Sequence, residues 1–341
     1  MKLSACMIVL NGMPYMPYLL RGIYPVMDEI IIVEGAVETT AELADKNGHS
    51  TDGTVEAIRH FSDPERKIKL IQIDGYWPEK NEMCFAFAEA CTGDYLWQMD
   101  ADEFYKPRDM LWLKDYLAQN REVGAVSFTF LNFFGGMQSI TNGAWFYYNR
   151  SQIWRLLRWG KGYRYVTYRQ PTALDESGVD TKDYPVLHGN MLSRKYGIYT
   201  YHYSYVTRAQ VAEKMHYHQR YKKGGFLYID DYDEWYQNHF QTFTPWRVHP
   251  DERPMSWLEP FRGQHPEVIQ QLIADHPEAV ASRPEIARLL DSPLRWRFWK
   301  LVGTIDAVCW WLYDRPFRRM VRPFVRPIRA RFFGYDYNAQ N

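Results

Sequence analysis

The sequence contains few cysteines and no long apolar segment. Its four cysteines, at positions 6, 84, 91 and 309, form no CxxC pair and show no regular spacing, and three of them lie in apolar segments. This pattern favours reduced, buried thiols over a disulfide framework. No apolar run reaches the ~18 residues of a membrane span, and the N-terminal residues become polar too early for a secretory signal. We therefore expect a cytoplasmic protein without a transmembrane helix.

The sequence also lacks internal repeats, low-complexity segments and a net charge. Lysine plus arginine and aspartate plus glutamate each total 41. The charge is unevenly distributed, because residues 293–331 contain ten basic and two acidic side chains, a net charge of +8, and the remainder therefore has −8. This asymmetry predicts an acidic body with a basic tail that can meet an anionic surface.

The composition is that of a folded chain. Of the 341 residues, 46% are hydrophobic and 17% are aromatic, with 13 tryptophans and 26 tyrosines, whereas disordered segments are poor in such residues. The length exceeds that of a typical single domain. We therefore expect one domain of about 200 to 250 residues followed by a C-terminal extension.

Five short apolar runs in the first 130 residues have the composition of buried β-strands. They do not alternate with polar residues, which suits strands covered on both faces, and the helical stretches between them favour a mainly parallel sheet. The predicted fold class is therefore α/β. The five runs are residues 3–10, 28–34, 67–73, 94–99 and 124–130.

Three signals predict helices in particular places. Pro78 precedes an apolar i, i+3, i+4, i+7 pattern over residues 83–90. Thr207 and Gln210 have the spacing of a capping box, which begins a helix at this point. Residues 265–293 predict two further short helices, each with a proline near its start.

Polar residues follow three of the predicted strands at the point where each strand ends. Asn11 follows the first strand and Glu34 ends the second. Asp100 and Asp102 follow the fourth, with Glu103 beside them. Ligands of open parallel sheets bind beyond the carboxyl ends of the strands, so these side chains should converge on one cleft. Two carboxylates at i and i+2 can bind Mg²⁺ or Mn²⁺, although such pairs also occur by chance on solvated loops.

The order of these segments resembles that of a known enzyme family. The segments are IVLN (8–11), IIIVEGA (30–36), STDGT (50–54), EKN (79–81) and GDYLWQMDADEF (93–104). Together they are similar to the nucleotide-sugar domain of GT-A fold glycosyltransferases, and most similar to family 2, over residues 3–130 and more loosely to about 215. The resemblance implies the Rossmann-like GT-A fold, in which helices flank a mainly parallel sheet. It also implies transfer of a sugar from a nucleotide-sugar, with a UDP-sugar favoured.

The resemblance implies roles for residues around the nucleotide. Glu34 takes the place of the acid that contacts the nucleobase, although the family more often has aspartate there. Asp52 lies near the nucleotide, and Lys80 or Asn81 matches an Arg-Asn pair that approaches it. Asn11 and the first acid of the DxD complete this set. Read from the residues alone, STDGT is also typical of a plain helix start, because serine, threonine and aspartate are all good N-caps.

The resemblance also implies a metal site. Asp100 faces the ribose or the metal, and Asp102 binds the Mn²⁺ or Mg²⁺ that bridges the diphosphate. Several GT-A enzymes add a C-terminal histidine to the metal, and His202 takes this place, with His188 as the alternative. A neutral imidazole would complete a site otherwise made of oxygen ligands. A lone histidine among tyrosines is equally typical of a structural residue.

Inversion, which the resemblance favours over retention, requires a carboxylate base for the acceptor hydroxyl. Asp175 and Glu176, in PTALDESG, are the candidates, with Glu176 slightly preferred. Asp180 and Asp183 are lesser rivals, and a solvated loop is the other interpretation of this segment. The predicted acceptor is a hydroxyl of a glycan or of a lipid-linked molecule.

The predicted domains divide the chain into three parts. Residues 1–215 form the GT-A domain, with its nucleotide half at about 1–130. Residues 216–292 form a mostly helical extension, and residues 293–341 form a basic, aromatic tail. The tail suits peripheral attachment to the anionic inner face of a membrane. In the alternative interpretation, it is a helix that packs on the body with its arginines paired to acidic residues.

Other functions are weighed against this hypothesis. Nucleic-acid binding is not expected, because the basic residues are confined to the tail and no binding-module signature accompanies them. A nucleotidyltransferase of related fold usually has a glycine-rich, basic loop after its first strand, and NGMPYMPY (11–18) lacks one. A catalytically silent glycan-binding protein is a third possibility. RLLRW (155–159) is similar to a signature of processive synthases but falls out of order, so it is a coincidence or part of an acceptor cleft.

Overall fold

A computed structural model describes residues 1–143, 153–221, 235–245, 248, 256–278 and 280–314. Most of the predicted basic tail, from residue 315 onward, lies outside these ranges. The strands are β1 (Leu3–Val9), β2 (Glu29–Glu34), β3 (Ile68–Ile71), β4 (Tyr95–Gln98), β5 (Glu103–Phe104), β6 (Ala125–Phe128), β7 (Phe130–Phe134), β8 (Ser139–Gly143), β9 (Ile153–Arg158), β10 (Arg164–Thr167), β11 (Thr172–Leu174), β12 (Val186–Leu187), β13 (Thr200–Tyr205) and β14 (Ser256–Pro260).

Eight α-helices of six or more residues accompany these strands within the described ranges. They are α1 (Met16–Ile23), α2 (Thr54–Arg59), α3 (Lys80–Ala90), α4 (Pro107–Gln119), α5 (Arg208–Tyr221), α6 (Glu267–Asp275), α7 (Pro284–Leu290) and α8 (Pro293–Asp314). A three-residue α-helical turn occurs at Gly189–Met191, and short 3₁₀ or π turns occur at Glu38–Leu43, Thr181–Asp183, Leu192–Tyr196 and Tyr236–Gln241. No helix in the described part of the chain is both long and apolar enough to cross a membrane.

The central sheet has seven strands in the order β12-β6-β9-β4-β1-β2-β3. All of its strand pairs are parallel except those of β9, which runs antiparallel to both β4 and β6. Every residue of β2 and β4 is buried, as expected for strands that helices cover on both faces. The predicted α/β class is confirmed, and the first four strands occupy the predicted runs.

A second sheet of five strands, β14-β8-β7-β13-β5, brings distant parts of the chain beside the DxD segment. β5 begins directly after Asp102, and β13 pairs with it antiparallel, with His202 opposite Glu103. β14 pairs with β8 over five residues. The sequence predicted a mostly helical C-terminal extension without β14, because SWLEP is too short to show a clear alternation.

The helices agree with their sequence signals. α3 begins at Lys80, shortly after Pro78, and buries Met83 and Phe87. The backbone N–H of Gln210 donates to Oγ1 of Thr207 at 3.1 Å, so the predicted capping box begins α5. α6 and α7 are the two helices predicted within residues 265–293.

An aromatic cluster fixes the strand that ends in the DxD. The indole of Trp97 on β4 is fully buried and packs edge-on against Tyr105, with ring centroids 4.9 Å apart, and stacks on Phe128, with centroids 5.4 Å apart. Aromatic pairs of this kind contribute about 0.5–1.5 kcal/mol each beyond the burial of their surface. The chain on both sides of Asp100 and Asp102 is therefore anchored in the core.

Candidate functional site

The loops after β1 and β2 meet at the carboxyl edge of the central sheet. Ser50 Oγ accepts a hydrogen bond from the backbone N–H of Asn11 at 2.9 Å and donates to Glu34 Oε1 at 2.7 Å. Asn11 also accepts from the backbone N–H of Thr51 and donates to the carbonyl of Leu43. The structure therefore brings Asn11, Glu34 and the STDGT segment together, as the strand order predicted.

Glu34 is completely buried, and the protein itself satisfies its carboxylate. Besides the Ser50 hydroxyl, the backbone N–H of Ser50 donates to Oε1 at 2.7 Å, and Gln72 Nε2 donates to Oε2 at 2.6 Å. Nδ1 of His49 lies 2.9 Å from Oε2. In this arrangement Glu34 holds the side chains of His49 and Gln72 in place at the edge of the sheet.

Asp52 connects the STDGT segment to the loop after β1. Its Oδ2 accepts from the backbone N–H of Met13 at 2.8 Å, while its Oδ1 accepts from the backbone N–H of Thr54 at 3.0 Å and from the Thr54 hydroxyl. The N-cap interpretation therefore accounts for part of this motif. Gly12, in the same loop, packs against Ala101 between the two aspartates of the DxD, so the predicted nucleotide loop and the DxD are neighbours.

Asp100 lies beside a partly buried arginine that Glu103 holds in place. Arg155 on β9 donates to Glu103 through Nε and Nη2, with the Nε contact at 2.8 Å, and its Nη2 lies 3.3 Å from Oδ2 of Asp100. Glu103 is fully buried. Burial opposes the charge on Arg155, but the carboxylates of Glu103 and Asp100 outweigh it and raise the pKa of the guanidinium. Glu103 therefore positions a permanent cation beside the first carboxylate of the DxD.

Asp102 lies between a lysine and a histidine from more distant elements. Lys214 Nζ on α5 donates to Oδ2 at 2.7 Å, and Nε2 of His202 on β13 lies 3.6 Å from Oδ1. Burial raises the pKa of Asp102, but the neighbouring Lys214 and His202 outweigh burial and lower the pKa to about 2. Asp102 is therefore a carboxylate at neutral pH.

His202 is neutral and presents a lone pair to Asp102. Burial lowers its pKa to about 4, more than the attraction of Asp102 raises it. Its Nδ1 lies 2.6 Å from Oδ1 of Asn132, and an amide oxygen only accepts hydrogen bonds, so Nδ1 holds the proton. Nε2 then has a free lone pair that points toward a carboxylate oxygen. A cation between the two atoms would satisfy both, and a hydrogen bond from the other ring nitrogen is typical of metal-binding histidines.

Lys80 and Asn81 lie at the first turn of α3, on the same edge of the sheet. Nζ of Lys80 lies 4.9 Å from the ring centroid of Tyr168, and Oδ1 of Asn81 accepts from the backbone N–H of Tyr168 at 2.9 Å. The charges of Asp100 and Lys80 both act on the buried Cys84 thiol one turn further along α3. Asp100 and Lys80 are therefore both within electrostatic range of this thiol.

Asp175 and Glu176, the two candidates for the catalytic base, lie at the opposite edge of the sheet. Asp175 accepts from the backbone N–H groups of Ser177 and Val179, both at 2.9 Å, and from the hydroxyl of Tyr184, and this last bond lowers its pKa. Arg158 lies at the end of β9 that pairs with the start of β4. Its guanidinium carbon is 4.0 Å from the centroid of the Tyr184 ring. Glu176 packs against Gly162, just beyond that end of β9.

Because β10 and β11 form a hairpin, the chain returns from Tyr168, near Lys80, to Asp175 at the far edge. The structure therefore does not bring Asp175 or Glu176 together with Asp102. Of the lesser rivals, Asp180 accepts from the backbone N–H of Lys182 at 2.9 Å, and Asp183 is exposed. His188, the alternative metal ligand, is exposed against the ring of Trp154.

Sequence reasoning missed three residues that contact the predicted site: Arg155, Lys214 and Asn132. Arg155 lies in the RLLRW segment, for which the sequence favours a coincidence or part of an acceptor cleft. In the structure, its guanidinium contacts Asp100, the first aspartate of the DxD. Lys214 is an ordinary lysine of an amphipathic helix, 112 residues from its partner Asp102, and nothing in the sequence distinguishes it. Asn132 lies within a strand of otherwise apolar residues, FLNFF, and this isolated polar residue was the available signal.

A known enzyme family matches a segment that contributes to this edge of the sheet. Residues 41–170 match glycosyl transferase family 2. The matched range contains Asp52, Lys80, Asn81 and both aspartates of the DxD, and it covers a little over a third of the chain. This match is to the same family that the sequence motifs resemble. No curated protein matches the chain.

Several solved structures have local similarity to the protein. TarS from S. aureus, in complex with UDP-GlcNAc, is 15% identical over 40% of this chain and 35% of its own, with a TM-score of 0.29. The mannosyltransferase PcManGT from Pyrobaculum calidifontis, in complex with GDP-Man and Mn²⁺, is 23% identical over 38% and 35%, with a TM-score of 0.30. Glucosyl-3-phosphoglycerate synthase from Mycobacterium tuberculosis is 18% identical over 39% and 45%, with a TM-score of 0.28. The chain spans less than half of each of these structures, and TM-scores this low do not establish a common fold.

The donor set at the DxD fits a divalent cation in part. Asp102 and His202 offer one anionic oxygen and one neutral nitrogen that face each other, a combination suited to Mn²⁺. The carboxylate of Asp100 is paired with the guanidinium of Arg155 and is not part of this facing pair. Within the ranges that the structure describes, no three acidic, histidine or cysteine side chains are grouped to hold a metal ion. These two side chains could supply two ligands to such an ion, and the remaining positions would have to come from the substrate or water.

Proposed function

We propose that the protein transfers a sugar from a nucleotide-sugar, with a UDP-sugar favoured, to a hydroxyl of a glycan or lipid-linked acceptor. One observation supports this proposal most directly. Asp100 and Asp102 follow β4 at the edge where the loops of Asn11 and Asp52 converge, inside the segment that matches family 2. In the proposal, Asn11, Asp52, Lys80 and Asn81 contact the nucleotide, and Glu34 acts through the loop that it holds.

The charges around the DxD suit the departure of a nucleoside diphosphate. The leaving group gains negative charge as the bond to the sugar breaks, and fixed cations near that charge stabilise the transition state. Lys214 and Arg155 supply two cations within 3.3 Å of the DxD carboxylates. We propose that Lys214 exchanges Asp102 for a diphosphate oxygen when the nucleotide-sugar binds.

The proposal includes Mn²⁺ or Mg²⁺ as cofactor. Asp102 and His202 would hold the ion, Asp100 would face it or the ribose, and the ion would neutralise charge on the diphosphate. Inversion is proposed on the resemblance alone. The base that it requires is not assigned to Asp175 or Glu176, because both lie at the other edge of the sheet.

The proposal is tested by replacing Asp102 and measuring sugar release from a panel of UDP-sugars and GDP-sugars with Mn²⁺. Asp102→Asn should lose at least about a hundredfold in turnover, because it removes a charged group from the reacting centre. Asp115→Asn, the same change at an exposed residue of α4, is the matched control and should retain wild-type turnover. Near-normal turnover by Asp102→Asn would contradict the proposed role.

A thermal-shift screen of the same nucleotides separates binding from catalysis. A ligand that binds only the native state raises the melting temperature, so the cognate nucleotide should stabilise the wild-type protein. Stabilisation without any sugar release, with or without glycan acceptors, would favour a silent glycan-binding protein. Stabilisation by no nucleotide would overturn the nucleotide-sugar proposal as a whole.

A further inference from the structure

The helix α8 exposes an apolar stripe along one side. Leu294, Phe298, Leu301, Ile305 and Val308 recur four and three residues apart, a spacing that places them on one face of a helix. Their exposed fractions are 83%, 56%, 60%, 50% and 52%. Elsewhere in the described ranges, large exposed apolar side chains occur singly on separate elements, which is normal for a protein surface. A row of five exposed apolar side chains on one helix face is not normal for a protein surface, and it indicates a docking surface.

The opposite face of α8 is fixed against the body of the protein. Trp296 and Asp306 are buried, and a Cβ added at Gly303 would collide with the indole ring of Trp257 on β14. The helix therefore cannot rotate to cover its stripe without breaking a close glycine contact. The acidic side chain in the middle of the helix, Asp306, lies on the body side and adds no negative charge to the stripe.

The charges near the stripe are basic. Arg297 is exposed, with its guanidinium carbon 5.4 Å from the ring centroid of the neighbouring Trp296, and Arg295 is exposed on the first turn. Beyond the described residues, the sequence continues with seven arginines and no acidic residue between positions 315 and 331. A second copy of the chain would bring the same positive charges to this face, whereas an anionic surface complements them.

We propose that the α8 stripe docks on a bilayer that contains anionic lipids. The helix lies in the plane of the interface, with the stripe in the boundary between headgroups and acyl chains and the arginines against the lipid phosphates. Apolar burial and electrostatic attraction then contribute together. This inference is independent of the proposed enzymatic function, since it rests on residues far along the chain from the DxD.

The test is co-sedimentation of the full chain with vesicles of phosphatidylcholine alone and of phosphatidylcholine mixed with phosphatidylglycerol. The wild-type protein should bind the anionic vesicles and should bind them less at high salt. The double variant Leu301→Gln, Ile305→Gln keeps every arginine and should bind the anionic vesicles at least about tenfold more weakly than the wild-type protein does. Both replaced side chains are already largely exposed, so the melting temperature should not change. The matched control is Leu111→Gln, Val179→Gln, at exposed positions on other elements, and it should bind as the wild type does.

Three results would overturn the proposal. The first is a wild-type protein that does not prefer anionic vesicles, and the second is a Leu301→Gln, Ile305→Gln variant that binds them as well as the control variant does. The third is a wild-type dimer in light scattering that becomes monomeric in the stripe variant, because this would identify a second copy as the occupant of the stripe. Sugar release measured without vesicles distinguishes this inference from the proposed function, since the stripe variant should keep the wild-type rate.

Discussion

Lys214 Nζ lies 2.7 Å from Oδ2 of Asp102, although 112 residues separate them. The lysine belongs to α5 and the aspartate to the loop between β4 and β5, so this ion pair connects the helix to the DxD segment. The same helix places Glu213 near Asp52, and burial together with Asp52 raises the pKa of Glu213. α5 therefore contacts the DxD through Lys214 and brings Glu213 within electrostatic range of Asp52 in the nucleotide loop.

Replacing Lys214 with methionine removes the ammonium group but keeps much of the side-chain volume. We expect the turnover of the nucleotide-sugar to fall by about a hundredfold, because a cation near the leaving diphosphate is lost. Lys214→Arg should retain part of the activity. Steady-state kinetics distinguish the roles: a change confined to KM would indicate binding of the ground state alone, and an unchanged kcat/KM would show that Lys214 has no part in the reaction.

Glu103→Gln tests the buried pair that holds Arg155. The substitution preserves shape but leaves the arginine with a neutral partner, and removing one member of a buried ion pair typically costs about 3–5 kcal/mol. Chemical denaturation should show this loss in the free energy of unfolding. Glu89→Gln, at an exposed position of α3, is the matched control and should change it by less than about 0.5 kcal/mol. Equal stability of the two variants would show that the pair is not needed to hold Arg155.

Thr207→Ala removes the side-chain cap of α5. A lost N-cap costs about 1 kcal/mol, and Thr207→Ser should restore most of it, since serine also accepts from the N–H of Gln210. Because α5 holds Lys214, we also expect lower nucleotide-sugar turnover in Thr207→Ala than in Thr207→Ser. Identical stability of the alanine and serine variants would contradict a capping role.

The half-buried His265 should make the fold sensitive to mild acid. Burial lowers the pKa of His265 to about 4, below the ordinary value of about 6.5, so the unfolded chain binds a proton that the folded protein does not. The free energy of unfolding should therefore fall as the pH decreases from about 6.5 to 4, by up to about 1.4 kcal/mol per pH unit for this residue. Urea titrations of His265→Asn should show a shallower dependence on pH. The exposed His60→Asn variant is the control, and the same slope in both variants would rule out His265 as the source.

Removal of divalent cations with EDTA should abolish sugar release, and Mn²⁺ should restore it. His202→Asn should raise the Mn²⁺ concentration needed for half-maximal activity by about tenfold or more, because one proposed nitrogen ligand is lost. Asn132→Ala should have a smaller effect in the same direction, since it removes only the acceptor that orients the ring. Full activity of the wild-type protein in EDTA would show that Lys214 and Arg155 suffice without a metal ion.

The sequence predicted those parts of the fold and the site that depend on local pattern. The first four strands, α3 and the cap of α5 are encoded within short windows, and the rule for strand ends correctly grouped Asn11, Glu34 and the DxD. The contacts of Asp100 and Asp102 depend instead on long-range pairing. Arg155 reaches Asp100 only because β9 inserts antiparallel between β6 and β4. No short window of sequence contains that information.

The placement of Asp175 illustrates the same limit. In sequence it follows a turn and precedes a glycine, as a loop acid near a ligand could. In the structure, the hairpin of β10 and β11 reverses the chain and moves the acid to the opposite edge, where backbone N–H groups and Tyr184 satisfy it. The direction in which a hairpin points depends on tertiary packing, here that of Tyr165 against Phe87 and Gln98.

The pairing of β14 with β8 has a consequence for synthesis of the chain. β8 ends at Gly143, and its partner begins at Ser256, so a ribosome must add more than a hundred residues before this edge of the second sheet can be covered. At about 5–20 residues per second, the edge stays open for roughly 6 to 20 seconds. An uncovered strand edge is a template for pairing with other chains. The nascent protein is therefore most exposed to aggregation after its nucleotide half has been made, and a chaperone that binds during this interval should improve the yield of folded protein.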